Sequence, residues 1–271
     1  MAKFVFKLLL LSFAGYGFIC GYMFLKQDSL VFPTQEVFYE DPGPIENTQQ
    51  EELALSMADG TVLKGTAYES TAPTEDLVIS FAGNAQNAIN FNAVLSRPFA
   101  GQFNSVGINY RGYWQSEGSP SEKKIYADAL EIYDQMVEKY NPKRVFVFSM
   151  SLGTGVATYL SKHREVDGIL LVTPFDSILN LAQAEYPYLP VKYILRHHFN
   201  SLLHLQDNTT PVAVIAGGND PIIPPVHLGR LKQAVPNLVF AHTIPDGRHG
   251  SIVDHKEFNA LLKQAFRAFS S

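Results

Sequence analysis

This sequence predicts an α/β fold with a mostly parallel central sheet and helices on both faces, and three observations predict it. Short apolar runs recur at 77–81, 106–110, 145–148, 169–172, 212–216 and 238–244, each bounded by turn residues. Runs of that length read as strands buried on both sides. Helix-compatible stretches separate most of them, and repeated strand–helix alternation builds a parallel sheet. At the start, the alternating runs 52–57 and 62–68 flank Asp59-Gly60, which predicts an antiparallel hairpin.

The elements follow in chain order. Residues 8–25 carry no charge and are flanked by Lys3, Lys7 and Lys26. That length approaches the roughly 20 residues of a membrane-spanning helix. A cleaved signal peptide fits the same pattern, but Ser12-Phe-Ala14 would place its cut too early, and Ile19 before Cys20 does not suit a lipoprotein site. Residues 1–26 are thus expected to be an N-terminal membrane anchor or, if cleaved, the signal of a secreted protein. The two lysines on the short side place that end in the cytoplasm and the remainder across the membrane, in the periplasm of a bacterium. Residues 27–51 are expected to connect, with a short strand at 37–39. Residues 52–271 hold no Pro-, Gly- or Ser-rich divider and read as one domain. Within it, Ser119-Pro120-Ser121-Glu122 resembles a capping box with Pro at the first helical position. The helix that follows places Ile125, Ile132, Tyr133, Met136, Val137 and Tyr140 on one face and stops at Asn141-Pro142.

The chain has 271 residues, 46% hydrophobic and 17% charged, the composition of a globular protein with a substantial core. Its net charge of −5 argues against a nucleic-acid partner. With Cys20 as the single cysteine, the domain has no disulfide, and neither a metal nor a cofactor is expected.

Candidate catalytic residues sit where ligands bind in such sheets, just beyond the carboxyl ends of strands. Ser151 follows the run 145–148 in Ser149-Met-Ser151-Leu-Gly153. A serine between small residues on a strand-to-helix turn is a nucleophile elbow of the G-x-S-x-G kind, whose strained backbone excludes bulky flanks. Here Ser149 stands in place of the usual first glycine. Asp220 follows 212–216, and His249 follows 238–244. The order Ser, Asp, His matches one known arrangement of a catalytic triad. In it, His249 takes the Ser151 proton and Asp220 fixes the imidazole. Asp246 and Asp254 compete with Asp220 but do not directly follow a strand. His197 and His198 read as exposed. The amide of Leu152 is expected to be one oxyanion donor, and Asn84 or Ala85, in the small-residue turn after 77–81, the second. Residues 109–118 read as a buttress to the site.

On these segments the chain resembles the α/β-hydrolase superfamily, specifically the membrane-anchored serine hydrolases that include acyl-protein thioesterases and lysophospholipases. The segments are F-A-G-N-A (81–85), Y-R-G-Y-W-Q-S-E-G-S-P-S-E (110–122), S-M-S-L-G (149–153), T-P-F-D-S-I (173–178), G-G-N-D-P-I-I-P (217–224) and D-G-R-H-G (246–250). The resemblance covers nearly the whole chain. It implies an α/β-hydrolase fold with a short or absent lid at 186–191, where Tyr186 and Tyr188 offer an apolar substrate rim. It also implies hydrolysis of a small-molecule or lipid carboxylic ester or thioester through an acyl-enzyme. Two alternatives stay open: a serine peptidase of the same fold and a non-catalytic hydrolase-like binding protein. Ala82 departs from the family's usual histidine, which removes a side chain that buttresses the oxyanion loop.

Overall fold

A computed structural model describes residues 1–270 of the chain. Its eight strands are β1 (Thr48–Ser56), β2 (Val62–Ser70), β3 (Asp76–Phe81), β4 (Asn104–Ile108), β5 (Arg144–Met150), β6 (Gly168–Val172), β7 (Val212–Gly217) and β8 (Leu238–Ile244). They form one sheet in the order β1-β2-β4-β3-β5-β6-β7-β8. The hairpin β1–β2 is antiparallel, β2 joins β4 antiparallel, and every pairing from β4 to β8 is parallel.

Alternation along each strand sorts the core into two layers. Val145, Val147, Ile169 and Leu171 face one layer, whereas Phe146, Phe148, Leu170 and Val172 face the other. The first layer is covered by α3 (Glu122–Tyr140), α4 (Leu152–His163), α7 (Ser201–Leu205) and α8 (Pro225–Ala234). The second is covered by α2 (Ala88–Ser96) and α9 (Phe258–Ala268). Burial of each large apolar side chain contributes about 1.5–3 kcal/mol, so these layers hold the sheet without a disulfide.

The remaining helices are α1 (Ala2–Val31), α5 (Ile178–Glu185) and α6 (Val191–Ile194). The apolar part of α1 is exposed on all sides, as suits a helix solvated by lipid. α1 does not stop at residue 26. It runs on to Val31 because its last turns have tertiary partners. Gln27 is buried, its Nε2 donating to Ile194 O and its Oε1 accepting from Arg196 N. Asp28 accepts from His197 Nε2 and Arg196 Nη2.

Four expectations need correction. The 37–39 segment is not a strand: Val37 enters the core, Tyr39 stacks on Trp114 at 5.0 Å, and no neighbouring strand offers a ladder. β1 begins at Thr48, ahead of residue 52. The cap of α3 is Ser121, whose Oγ accepts from Lys124 N, and Glu122 instead accepts from the amides of His198 and Phe199. His197 is buried, packed edge-on against Phe32, and His198 is half-buried.

The 109–118 segment ties neighbouring elements of the fold together. Arg111, 3% exposed, forks onto Asp128 of α3 and reaches Asp59 in the β1–β2 turn. One guanidinium thus ties hairpin, loop and helix together.

Candidate active site

β5 ends at Met150 and α4 begins at Leu152, which leaves Ser151 alone to turn the chain, at φ 48° and ψ −119°. Only the surrounding structure holds a non-glycine residue in that region. Ser151 N donates to Val172 O at 3.0 Å, and Ser151 O accepts from Thr154 N at 2.8 Å. The two flanks of the turn differ. A Cβ on Gly153 would lie 2.1 Å from Phe81 O, so only glycine lets α4 approach β3. Ser149 is fully buried, but its Oγ donates to Leu170 O of β6 at 2.9 Å. The first flank therefore has room for a hydroxymethyl group and an acceptor for it. Steric exclusion acts on one side of this elbow, not both.

Asp220 and His249 come from the loops after β7 and β8, which interlock through glycines. A Cβ on Gly217 would meet Gly247 O at 2.4 Å, and one on Gly218 would meet Pro245 O at 2.6 Å. The contact sets the spacing of the two side chains. His249 Nδ1 lies 2.8 Å from Asp220 Oδ2, and His249 Nε2 lies 2.8 Å from Ser151 Oγ. Burial opposes ionisation of Asp220, but the bonds from His249 and from the amides of Ile222 and Ile223 outweigh it and hold the carboxyl below its usual range. An ionised carboxylate only accepts. Nδ1 therefore carries the proton, and Nε2 is left to accept from the Ser151 hydroxyl.

The turn after β3 passes beside Ser151, where a Cβ on Gly83 would lie 3.5 Å from Ser151 Cβ. Among the described residues, the amides of Asn84 and Ala85 donate to no acceptor of the chain. Leu152 is the first residue of α4, so its amide has no partner within the helix. With Ala82 in place of a histidine, the turn is braced otherwise. Tyr110 OH donates to Ala82 O at 2.8 Å, and Gly83 N donates to Gln86 Oε1 at 2.8 Å. Burial pushes the Tyr110 phenol well up, so it stays a donor. Sequence reasoning missed both braces: Tyr110 bonds to a backbone 28 residues away, which neither spacing nor periodicity marks, and Gln86 closes a side-chain turn onto Gly83 that resembles any polar loop position.

The expected substrate residues separate. Ala85 is exposed and lines a shallow concavity with Phe38, Pro42 and Arg97. Tyr186 is in the wall of an apolar cavity against α1, and Tyr188 is 88% exposed. Asp246 pairs with His255 at 3.2 Å. Among the described residues no cluster of histidine, cysteine or acidic side chains could hold a metal ion. A concavity of about 1090 Å³ lies at the amino ends of β5, β6 and β7, with Lys143, Asp167 and Pro211 in its rim, at the opposite end of the sheet from Ser151.

No protein-family model matches the chain. It is 33% identical over 196 residues to an uncharacterized membrane protein of Saccharomyces cerevisiae, covering 69% of this chain and 68% of that protein. Over 228 residues it is 26% identical to an α/β-hydrolase domain-containing protein of Arabidopsis thaliana, covering 75% and 73%. Over 188 residues it is 30% identical to the lysophosphatidylserine lipase ABHD12 of Xenopus tropicalis, covering 61% of this chain and 47% of the lipase. The chain belongs to the α/β-hydrolase superfamily, in its membrane-anchored branch. The solved structure of acetyl xylan esterase 1 from Thermoanaerobacterium shares the fold of this hydrolase-family chain, with a TM-score of 0.68 at 17% identity and coverage of 86% and 87%.

Proposed function

We propose that this chain is a membrane-bound serine hydrolase that cleaves carboxylic esters or thioesters through an acyl-enzyme. The observation that carries the reading is the continuous hydrogen-bonded line Asp220–His249–Ser151, with both links at 2.8 Å, ending on a serine at positive φ. Sequence similarity to a lysophosphatidylserine lipase supports ester chemistry.

In the proposed mechanism, Ser151 Oγ attacks the acyl carbon while its proton passes to His249 Nε2. Asp220 holds the imidazole by Nδ1 and stabilises the imidazolium. The oxyanion is met by the amides of Leu152 and of Asn84 or Ala85. The imidazolium returns its proton to the departing alcohol or thiol, and a water activated by the same histidine then frees the acid. No step needs a metal or cofactor. In this reading the apolar part of α1 within residues 1–26 spans the membrane, the chain after α1 leads to a catalytic unit whose sheet begins at Thr48, and Lys3 and Lys7 keep the amino terminus in the cytoplasm.

One experiment tests nucleophile and sidedness together. In intact cells, a membrane-impermeant fluorophosphonate labels the wild-type chain, and the band disappears in Ser151→Ala. Absence of labelling in folded, detergent-extracted protein would refute the hydrolase, and labelling only after permeabilisation would refute the orientation.

A further inference from the structure

One residue closes the turn after β3 twice. Gln86 N donates to Gly83 O at 3.3 Å. The Gln86 carboxamide folds back along the same turn, and its Oε1 accepts from Gly83 N at 2.8 Å. Both backbone polar groups of Gly83 are thus taken by Gln86. The two residues at the centre of the turn, Asn84 and Ala85, keep amides that donate to no acceptor among the described residues.

The same carboxamide reaches the nucleophile elbow. Its Nε2 donates to Met150 Sδ at 3.4 Å, and Met150, 2% exposed, ends β5 directly before Ser151. The bare Cα of Gly83 makes this approach possible. A Cβ there would lie 3.0 Å from Gln86 Oε1 and 3.5 Å from Ser151 Cβ, so carboxamide and nucleophile flank one small gap. Gln86 is a strut with two ends. One end sets the turn that presents Asn84 and Ala85, and the other grips the strand that leads into Ser151 and Leu152.

On either side the backbone is fixed by other groups. Tyr110 OH holds Ala82 O, and Asn109, 1% exposed, accepts from Ala88 N at 2.7 Å and donates from Nδ2 to Asn87 Oδ1 at 3.3 Å. Between these anchors the other side-chain tie runs from Asn84 Nδ2 to Val31 O, and at 3.4 Å it is longer than a strong hydrogen bond.

We infer that Gln86 is the positioning residue of the oxyanion site, taking over from the side chain that Ala82 lacks and acting through Gly83 and Met150 to hold the turn's amides at a fixed distance from Ser151. The inference rests on the serine hydrolase reading and adds to it a residue that touches neither substrate nor triad. Oxyanion donors work because they are in place before the charge develops, and a misplacement of about 1 Å costs about 10²-fold in rate. The strut must accept at one end, donate at the other and bring no negative charge beside a developing oxyanion. A neutral carboxamide meets all three conditions, and a carboxylate of the same length fails two of them.

The test is steady-state hydrolysis of p-nitrophenyl acetate by full-length protein in lipid nanodiscs, paired with inhibition by an aryl trifluoromethyl ketone. Ser151 Oγ bonds to the ketone carbon, the carbonyl π pair becomes an oxyanion, and the serine proton passes to His249, so affinity for the ketone reads the oxyanion donors. Gln86→Met keeps the length of the side chain and removes its carboxamide. Its kcat is expected to fall about 10- to 100-fold with KM within about twofold, and the ketone inhibition constant to rise by the factor lost in kcat/KM. The pH profile of kcat/KM, which reports His249, should stay where it is. Met150→Leu removes only the sulfur acceptor and should lower kcat by a smaller factor, and the double variant should match Gln86→Met alone. Additive losses in the double variant, an unmoved inhibition constant or a shifted pH profile would overturn the role of Gln86. If Gln86→Met does not fold, Met150→Leu decides, by whether its inhibition constant rises as kcat/KM falls. Folded wild-type protein that neither hydrolyses the ester nor binds the ketone brings down the hydrolase reading itself, whereas active wild type with unaffected variants brings down the strut alone.

Discussion

Two aspartate–histidine pairs occupy neighbouring positions at the same end of the sheet, and they do different things. Asp220 and His249 follow β7 and β8, with Oδ2 and Nδ1 2.8 Å apart. Asp176 follows β6 and meets His227 of α8, with Oδ1 and Nδ1 2.7 Å apart. The pairwise chemistry is the same, and the surroundings separate them. His249 Nε2 faces the Ser151 hydroxyl. His227 is 1% exposed, and its Nε2 has no hydrogen-bond partner. Asp176 is wholly buried, accepting from Ser177 N at 2.6 Å, Asn180 Nδ2 at 2.9 Å and Arg230 Nη1 at 3.3 Å. That network closes on itself and pins the start of α5 to α8, the helix that follows the Asp220 loop. An Asp–His pair is thus no mark of a reaction centre by itself. In the proposed mechanism, the Ser151 hydroxyl on its strained turn at the outer nitrogen makes the difference.

Substitutions can break this contrast. The largest effect is expected from Asp220→Asn, which leaves the imidazole in the wrong tautomer and should lower kcat by about 10⁴-fold with little change in melting temperature. A drop below tenfold in ester hydrolysis would equate the two pairs. Asp176→Asn should act on stability, costing about 1–3 kcal/mol in denaturant unfolding as buried donors lose their acceptor, while ester turnover per folded molecule changes far less than in Asp220→Asn. The reverse ranking would make Asp176 the catalytic acid.

A third histidine sharpens the comparison with the smallest effect. His204 packs edge-on between Tyr126 and Tyr159, and its Nδ1 is unpaired. Burial, and then the nearby His163 and Lys162, lower it from 6.5 to about 4. The folded state therefore keeps this ring neutral while the unfolded chain protonates it. Stability is in full above the unfolded value near 6.5 and is lost as pH falls toward about 4, where the folded ring also protonates. His204→Leu should flatten that part of the unfolding-versus-pH curve without altering activity at neutral pH, and an unchanged slope would show that other groups set it.

The strands were legible because strands buried on both faces must be apolar throughout, and β6, buried at every residue, spans Gly168–Val172 over the expected 169–172. Membership in the α/β-hydrolase superfamily was legible from motifs in register. What stayed hidden depends on distant partners. Gln27 and Asp28 read as the start of a connection, yet residues 194–197 recruit them into helix. His197 and His198 look solvent-facing in a polar stretch until Phe32 and Glu122 cover them. Asp176 stood in the sequence only as part of the segment 173–178, and the return of α8 to the sheet supplies its histidine. The bracing of the Ala82 turn by Tyr110 was out of reach for the same reason.

α1 is one uninterrupted helix of 30 residues, about 45 Å long, and it is bolted to the domain at Gln27 and Asp28 instead of hanging from a loose tether. A domain so mounted has no slack. If α1 spans a bilayer as proposed, the domain cannot lean out to collect molecules from bulk solution, and its serine is held at one height relative to the lipid. Encounter becomes a two-dimensional search in which local density replaces bulk concentration. For a lipid-borne substrate of the proposed kind, turnover would then follow its mole fraction among surrounding lipids, and adding inert lipid would slow the reaction even with the amounts of protein and substrate unchanged.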